Sequence, residues 1–138
     1  MVHALEKTHH LLKPGGGVID LHDIPAPSSL AVRVGAHSHD IGQLLDHSDF
    51  AKLRATDKAL AQGVAVGLYT LEEESCFDYR IYLDSLDAFH QWLTGLWDTT
   101  YLSDDTMERL GHLMDDDSAE ATLIVGMASR IIRLARRP

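Results

Sequence analysis

Apolar residues along the chain change repeatedly from helical spacing to strand alternation, and the changes mark its elements. Val2, Leu5, Leu11 and Leu12 recur at helical spacing over 2–13, and Pro14-Gly15-Gly16-Gly17 ends that helix. Its periodicity already runs near Met1 with no capping residue before it, so the chain is expected to start inside an element. Val18-Ile19-Asp20-Leu21-His22 alternates as a strand, and the proline-rich stretch 25–29 forces a loop. A hairpin is predicted next, with Leu30, Val32 and Val34 outbound, a polar turn around His37-Ser38-His39-Asp40, and Ile41 to Leu45 returning.

Ser48 or Asp49 can cap a helix carrying Phe50, Leu53, Leu60 and Val64 and ending near Gly67. A strand over 68–71, a charged turn at Glu72-Glu73-Glu74 and a strand presenting Phe77, Tyr79, Ile81 and Leu83 on one face follow. Two amphipathic helices come next: 86–97, with Phe89, Trp92, Leu93 and Leu96, and 104–114, with Met107, Leu110 and Met114. Over 121–136 the pattern is ambiguous. Leu123, Val125 and Met127 alternate as a strand, whereas Asp117 and Glu120 could form a capping box for a helix. A strand is chosen, partly on the resemblance given below.

The size, 138 residues, suits a single domain over 1–138 with its own core. Acidic residues outnumber basic ones, 21 to 12, and the net charge of -9 repels a phosphate backbone, so no nucleic-acid partner is expected. No apolar run approaches the roughly 20 residues that span a bilayer, so no membrane partner is expected either. The single cysteine, Cys76, excludes an intrachain disulfide and fits a reducing cytoplasm.

The run from Ala4 to Leu21, with its Leu12-Lys13-Pro14-Gly15-Gly16 turn, resembles the helix, turn and fifth strand of class I S-adenosylmethionine-dependent methyltransferases. In that family the C-terminal half continues with a helix and then the sixth and seventh strands as an antiparallel pair, often with helical insertions. The resemblance implies an α+β fold, a mainly antiparallel sheet with helices, like the C-terminal half of a Rossmann-like methyltransferase. It also implies what these residues lack, because the family holds its cofactor with a glycine-rich loop and acidic residue on earlier strands. Gly15-Gly16-Gly17 follows a helix and opens a strand, the reverse of a cofactor-cradling loop. No cofactor is expected for this chain alone; S-adenosylmethionine would bind only if a missing N-terminal half completed the fold.

Asp20, His22 and Asp23 stand out, since a central strand buried on both faces is usually apolar throughout. They border a cavity or water, and His22 or Asp23 could contact a substrate or act as a general base; a half-exposed strand of a one-sided sheet explains the same letters. Tyr69, Tyr82 and Trp92 could line an apolar substrate pocket, although aromatic side chains are more often core. His37-x-His39-Asp40 invites a metal, but a polar hairpin turn accounts for these residues, and no metal site is assigned.

Three functions compete. The first is a truncated methyltransferase-like domain, inactive alone, whose fifth strand lacks its parallel neighbour and recruits a second copy or a missing N-terminal partner. The second is a free-standing α+β domain binding a small molecule in an aromatic-lined pocket. An independent enzyme using His22 and Asp23 is the third.

Overall fold

A computed structural model describes residues 2–46, 49–96, 100–114 and 120–138. Among the described residues the fold is α+β, with four helices and six strands in an antiparallel sheet. In chain order these are α1 (Val2–Leu11), β1 (Gly17–Asp23), β2 (Ser28–Val34), β3 (His37–Asp46), α2 (Asp49–Ala65), β4 (Tyr69–Leu83), α3 (Leu86–Leu96), β5 (Thr100–Tyr101), α4 (Asp104–Met114) and β6 (Ala121–Arg136). The chain divides into two compact units, with β4 and β6 contributing residues to both.

The first unit comprises residues 1–25, 49–77 and 128–138. Gly16 N–H donates to the Lys13 carbonyl at 2.9 Å, closing the turn that ends α1. A Cβ on Gly17 would stand 2.6 Å from the Leu134 carbonyl oxygen, so β1 can begin this close to β6 only with glycine there. β1 then pairs antiparallel with β6, from Gly17 opposite Ala135 to Asp23 opposite Ser129. Leu5, Ala59, Leu60, Tyr69, Ile132 and Leu134 form this unit's core.

The second unit comprises residues 26–48 and 78–127. β2 lies between β3 and the first half of β6. Leu30, Val32, Ile41, Leu44, Leu123, Val125 and Met127 pack against Phe89 of α3 and Leu110 of α4, and Tyr79, Ile81, Leu83, Trp92 and Leu93 close around them. Ser103 caps α4, its Oγ accepting the Thr106 N–H at 3.2 Å.

Three expectations need correction. His37, Ser38, His39 and Asp40 belong to strand β3, paired opposite Val34 to Ala31, and the turn falls at Gly35 and Ala36. Glu72, Glu73 and Glu74 form no turn either: β4 runs unbroken from Tyr69 to Leu83. Arginines of β6 make that continuity favourable, since Arg133 Nε lies 2.8 Å from Glu72 Oε2 and Arg130 Nη1 lies 3.1 Å from Glu74 Oε1. Opposite charges across strands outweigh the turn signal of the run. Met107, placed on the core-facing stripe of α4, is 40% exposed, while Leu110 of the same helix is fully buried. Segment 121–136 is the strand chosen above. Ser48, Trp97 and Asp117 lie outside the described residues.

Candidate functional site

The described residues offer two polar constellations, one within each unit. In the first unit, Val18, Asp20 and His22 share a face of β1. Opposite them on β6 stand Leu134, Ile132 and Arg130. Helix α2 presents Leu53, Asp57, Leu60 and Val64 at spacings of four, three and four, which places Asp57 within its apolar stripe.

These misplaced charges find one another. His22 Nδ1 is directed at Asp20 Oδ1, and its Nε2 lies 2.7 Å from Asp57 Oδ1. Arg130 ion-pairs with Asp57 Oδ1 through Nη2, which also lies 3.4 Å from His22 Nε2, and with Glu74 through Nη1. The His22 side chain is only 10% exposed, against 23% for Arg130 and 29% for Asp57. Burying these groups singly would be costly, and the network offsets the cost by giving every charge a partner. It leaves neither imidazole nitrogen free to take a proton from a substrate.

Asp23 points to the other side of the strand and accepts a hydrogen bond from Ser129 Oγ. His22 and Asp23 therefore do not converge on one point. Tyr69 is fully buried, donating its hydroxyl to the Leu5 carbonyl at 2.8 Å, and burial raises its pKa against the opposing influence of the Arg136 charge. Tyr82, in the second unit, is 54% exposed, with the Arg33 guanidinium 6.0 Å from its ring centroid. Trp92 stacks on Phe89 with centroids 6.2 Å apart. Tyr69 thus belongs to one unit, and Tyr82 and Trp92 to the other.

The second constellation is an open cleft of about 430 Å³ lined by Ser29, Asp40, Gly42, Gln43, Leu45, Ser103 and Thr106, all of the second unit. A β-bulge shapes it. Leu30 pairs with Gly42 and Ala31 with Asp40, so Ile41 is the extra residue of β3, and its side chain is buried in the core. Gly42 has φ +129°, and a Cβ there would meet Thr106 Oγ1 at 2.9 Å. Only glycine allows this backbone with the start of α4 so near. The Gly42 N–H donates to Asp40 Oδ1 at 3.0 Å and fixes that carboxylate at the cleft.

Among the described residues no group of three or more His, Cys, Asp or Glu side chains is arranged to hold a metal ion. No described helix is long and apolar enough to cross a membrane. Sequence reasoning singled out Asp20 and His22 but missed Asp57, Arg130 and Glu74. The available signal was a carboxylate interrupting the apolar stripe of α2. It also missed the cleft, for which the signal was Gly42 inside an alternating strand. Compared with known families, curated proteins and solved structures, the chain matches no family model, no curated protein and no solved structure.

Proposed function

We propose that these residues form a methyltransferase-like C-terminal portion that acts by association through the free edge of β1 and does not transfer methyl groups alone. The observation that carries the reading is the contrast between the first unit's two outer strands. β1 ends the sheet path, pairing only with β6 among the described residues, and exposes Ile19 at 69% and Leu21 at 60%. β4 carries Glu72, Glu73 and Glu74, charges that discourage pairing of an outer strand with another chain. The polar residues of β1, Asp20, His22 and Asp23, are engaged within the unit, which leaves Ile19 and Leu21 as its most exposed side chains, whereas β4 keeps charge on its exposed positions.

The element order supports the family reading. Helix, Pro-Gly-Gly turn, strand, helix, strand, helical insertion and antiparallel returning strand come in the order the resemblance implies, with the β2–β3 hairpin added after β1 and the short β5 between α3 and α4. The strand that β1 recruits comes from a second copy or from a chain supplying an S-adenosylmethionine-binding half. One free exposed cysteine, Cys76, suits a cytoplasmic setting.

Light scattering across a concentration series tests association, and a strict monomer at high concentration overturns it. Calorimetry with S-adenosylmethionine tests the other half of the proposal, and micromolar binding to this chain alone would overturn that. A small-molecule-binding domain is the second reading, favoured by the polar cleft of the second unit.

A further inference from the structure

The main chain of β1 has a bonded side and an open one. Its pairing with β6 continues past both ends of the strand, since Arg136 N–H donates to the Gly16 carbonyl at 2.9 Å and Ile24 N–H to the Ala128 carbonyl at 2.8 Å. Bonded and unbonded pairs alternate along an antiparallel ladder, so Val18, Asp20 and His22 turn their N–H and C=O groups toward β6. Gly17, Ile19 and Leu21 turn theirs away, and no described residue bonds to them. The side chains of Ile19 and Leu21 are the exposed ones as well.

Charge decides where a second copy can approach. Nine of the 12 Lys and Arg residues and eight of the 21 Asp and Glu residues lie in the first unit, which is almost neutral; the second unit holds the other three and thirteen and carries the whole negative excess. Two copies of so acidic a chain meet least repulsion at their first units. The strand also fits itself. With Ile19 opposite Ile19 across a two-fold axis, Gly17 falls opposite Leu21, and every outward N–H and C=O of these residues is paired. Val18 then stands opposite Asp20, while Ile19 and Leu21 of both copies adjoin on the exposed face. An axis at Asp20 would oppose two carboxylates. An axis at Leu21 would set Ile19 against Asp23 and leave the Gly17 carbonyl facing Pro25, which has no N–H.

We propose that two copies of this chain join by antiparallel pairing of β1 with β1 about a two-fold axis at Ile19, through about six main-chain hydrogen bonds. The proposal rests on the association reading above and commits it to a second copy rather than to a different chain. Pairing consumes both β1 edges, so the assembly closes as a dimer.

Hydrogen exchange of the ¹⁵N-labelled chain, followed amide by amide at low and high protein concentration, reads the pairing directly. The amides of Val18, Asp20 and His22, bonded to β6, should be protected at both concentrations. Those of Gly17, Ile19 and Leu21 should exchange at least about tenfold more slowly at the higher one. Disulfide trapping fixes the register. In a Cys76→Ser background, Ile19→Cys should cross-link with itself under oxidised glutathione, because the opposed Cα atoms would lie about 5.5 Å apart, whereas Leu21→Cys should not. All three positions are exposed, so the substitutions leave the core intact. A strict monomer at high concentration would overturn the association reading together with this pairing. Association that leaves the Gly17, Ile19 and Leu21 amides unprotected would overturn the pairing alone. Self-cross-linking of Leu21→Cys in preference to Ile19→Cys would overturn the axis at Ile19.

Discussion

The two units cover their strands by different means. In the second, the residues that face inward are apolar almost without exception: Leu30 and Val32 of β2, Leu123 and Val125 of β6, with Phe89 and Leu110 filling the space against them. In the first, the covered face mixes Ile132 and Leu134 with Arg130 on β6, and Val18 with Asp20 and His22 on β1. Close packing is unforgiving of lost volume, whereas a charge network tolerates lost volume and is unforgiving of a lost partner. Each unit should therefore fail under a different kind of substitution.

The largest effect is expected from Phe89→Ala, which empties a fully buried ring site of the second unit and should cost about 3–5 kcal/mol in urea denaturation. Arg130→Ala comes next. It leaves Asp57, Glu74 and His22 facing one another without the guanidinium, and water reaches this network, so about 1–3 kcal/mol is expected. A double-mutant cycle of Arg130→Ala with Asp57→Ala should return a coupling on the order of 1 kcal/mol. No measurable coupling would mean that the charges are solvated separately, and the contrast between the units would fail.

Tyr69→Phe should cost about 1 kcal/mol near neutral pH, the usual value of the hydrogen bond to the Leu5 carbonyl. It should also change the alkaline limb of the stability curve. The folded-state pKa of Tyr69 is raised above 10.0, so the folded protein retains the phenolic proton where the unfolded chain releases it. That contribution is fully present below pH 10.0 and is lost as pH rises through the folded pKa. Within this range, from pH 10.0 up to the folded-state pKa, the parent protein should lose stability faster than Tyr69→Phe, measured by urea midpoints. Parallel curves would mean that burial of Tyr69 does not set its titration.

Much of the fold could be read from alternation because most elements bury one regular face. β6 shows where such reading loses definition. Its buried positions are Leu123, Val125 and Met127 in the second unit, then Ser129, Ile132 and Leu134 in the first, so the period slips by one residue near Arg130. The ambiguity over 121–136 has another source, the spacing of Asp117 and Glu120, which imitates a helix capping box just ahead of the alternating Leu123, Val125 and Met127. The ionic network was half legible for a related reason. Asp20 and His22 break the expected apolar pattern of β1 locally, but their partners Asp57 and Arg130 stand 35 and 108 residues from His22, and no short motif joins them. The polar residues of β1 meet water only in part, Asp20 being 26% and His22 10% exposed at the side chain, and the more exposed face of the strand is the reverse, apolar one. Asp20 and His22 are paired toward α2, while Ile19 and Leu21 are the exposed side chains.

That reversal gives the smallest expected change in stability and the sharpest test of the free edge. Leu21 is 60% exposed, so Leu21→Lys removes little burial and should alter the unfolding free energy by no more than about 0.5 kcal/mol. A lysine on an outer strand nevertheless opposes edge pairing, because a partner strand would have to desolvate its ammonium. Association through β1 therefore predicts that Leu21→Lys sediments as a monomer at concentrations where the parent chain does not. The matching change on β4, Glu73→Lys, should leave association untouched, since that outer strand already carries charge. If both variants associate as the parent does, the partner strand is not on β1, and the apolar pair Ile19 and Leu21 has no part in assembly.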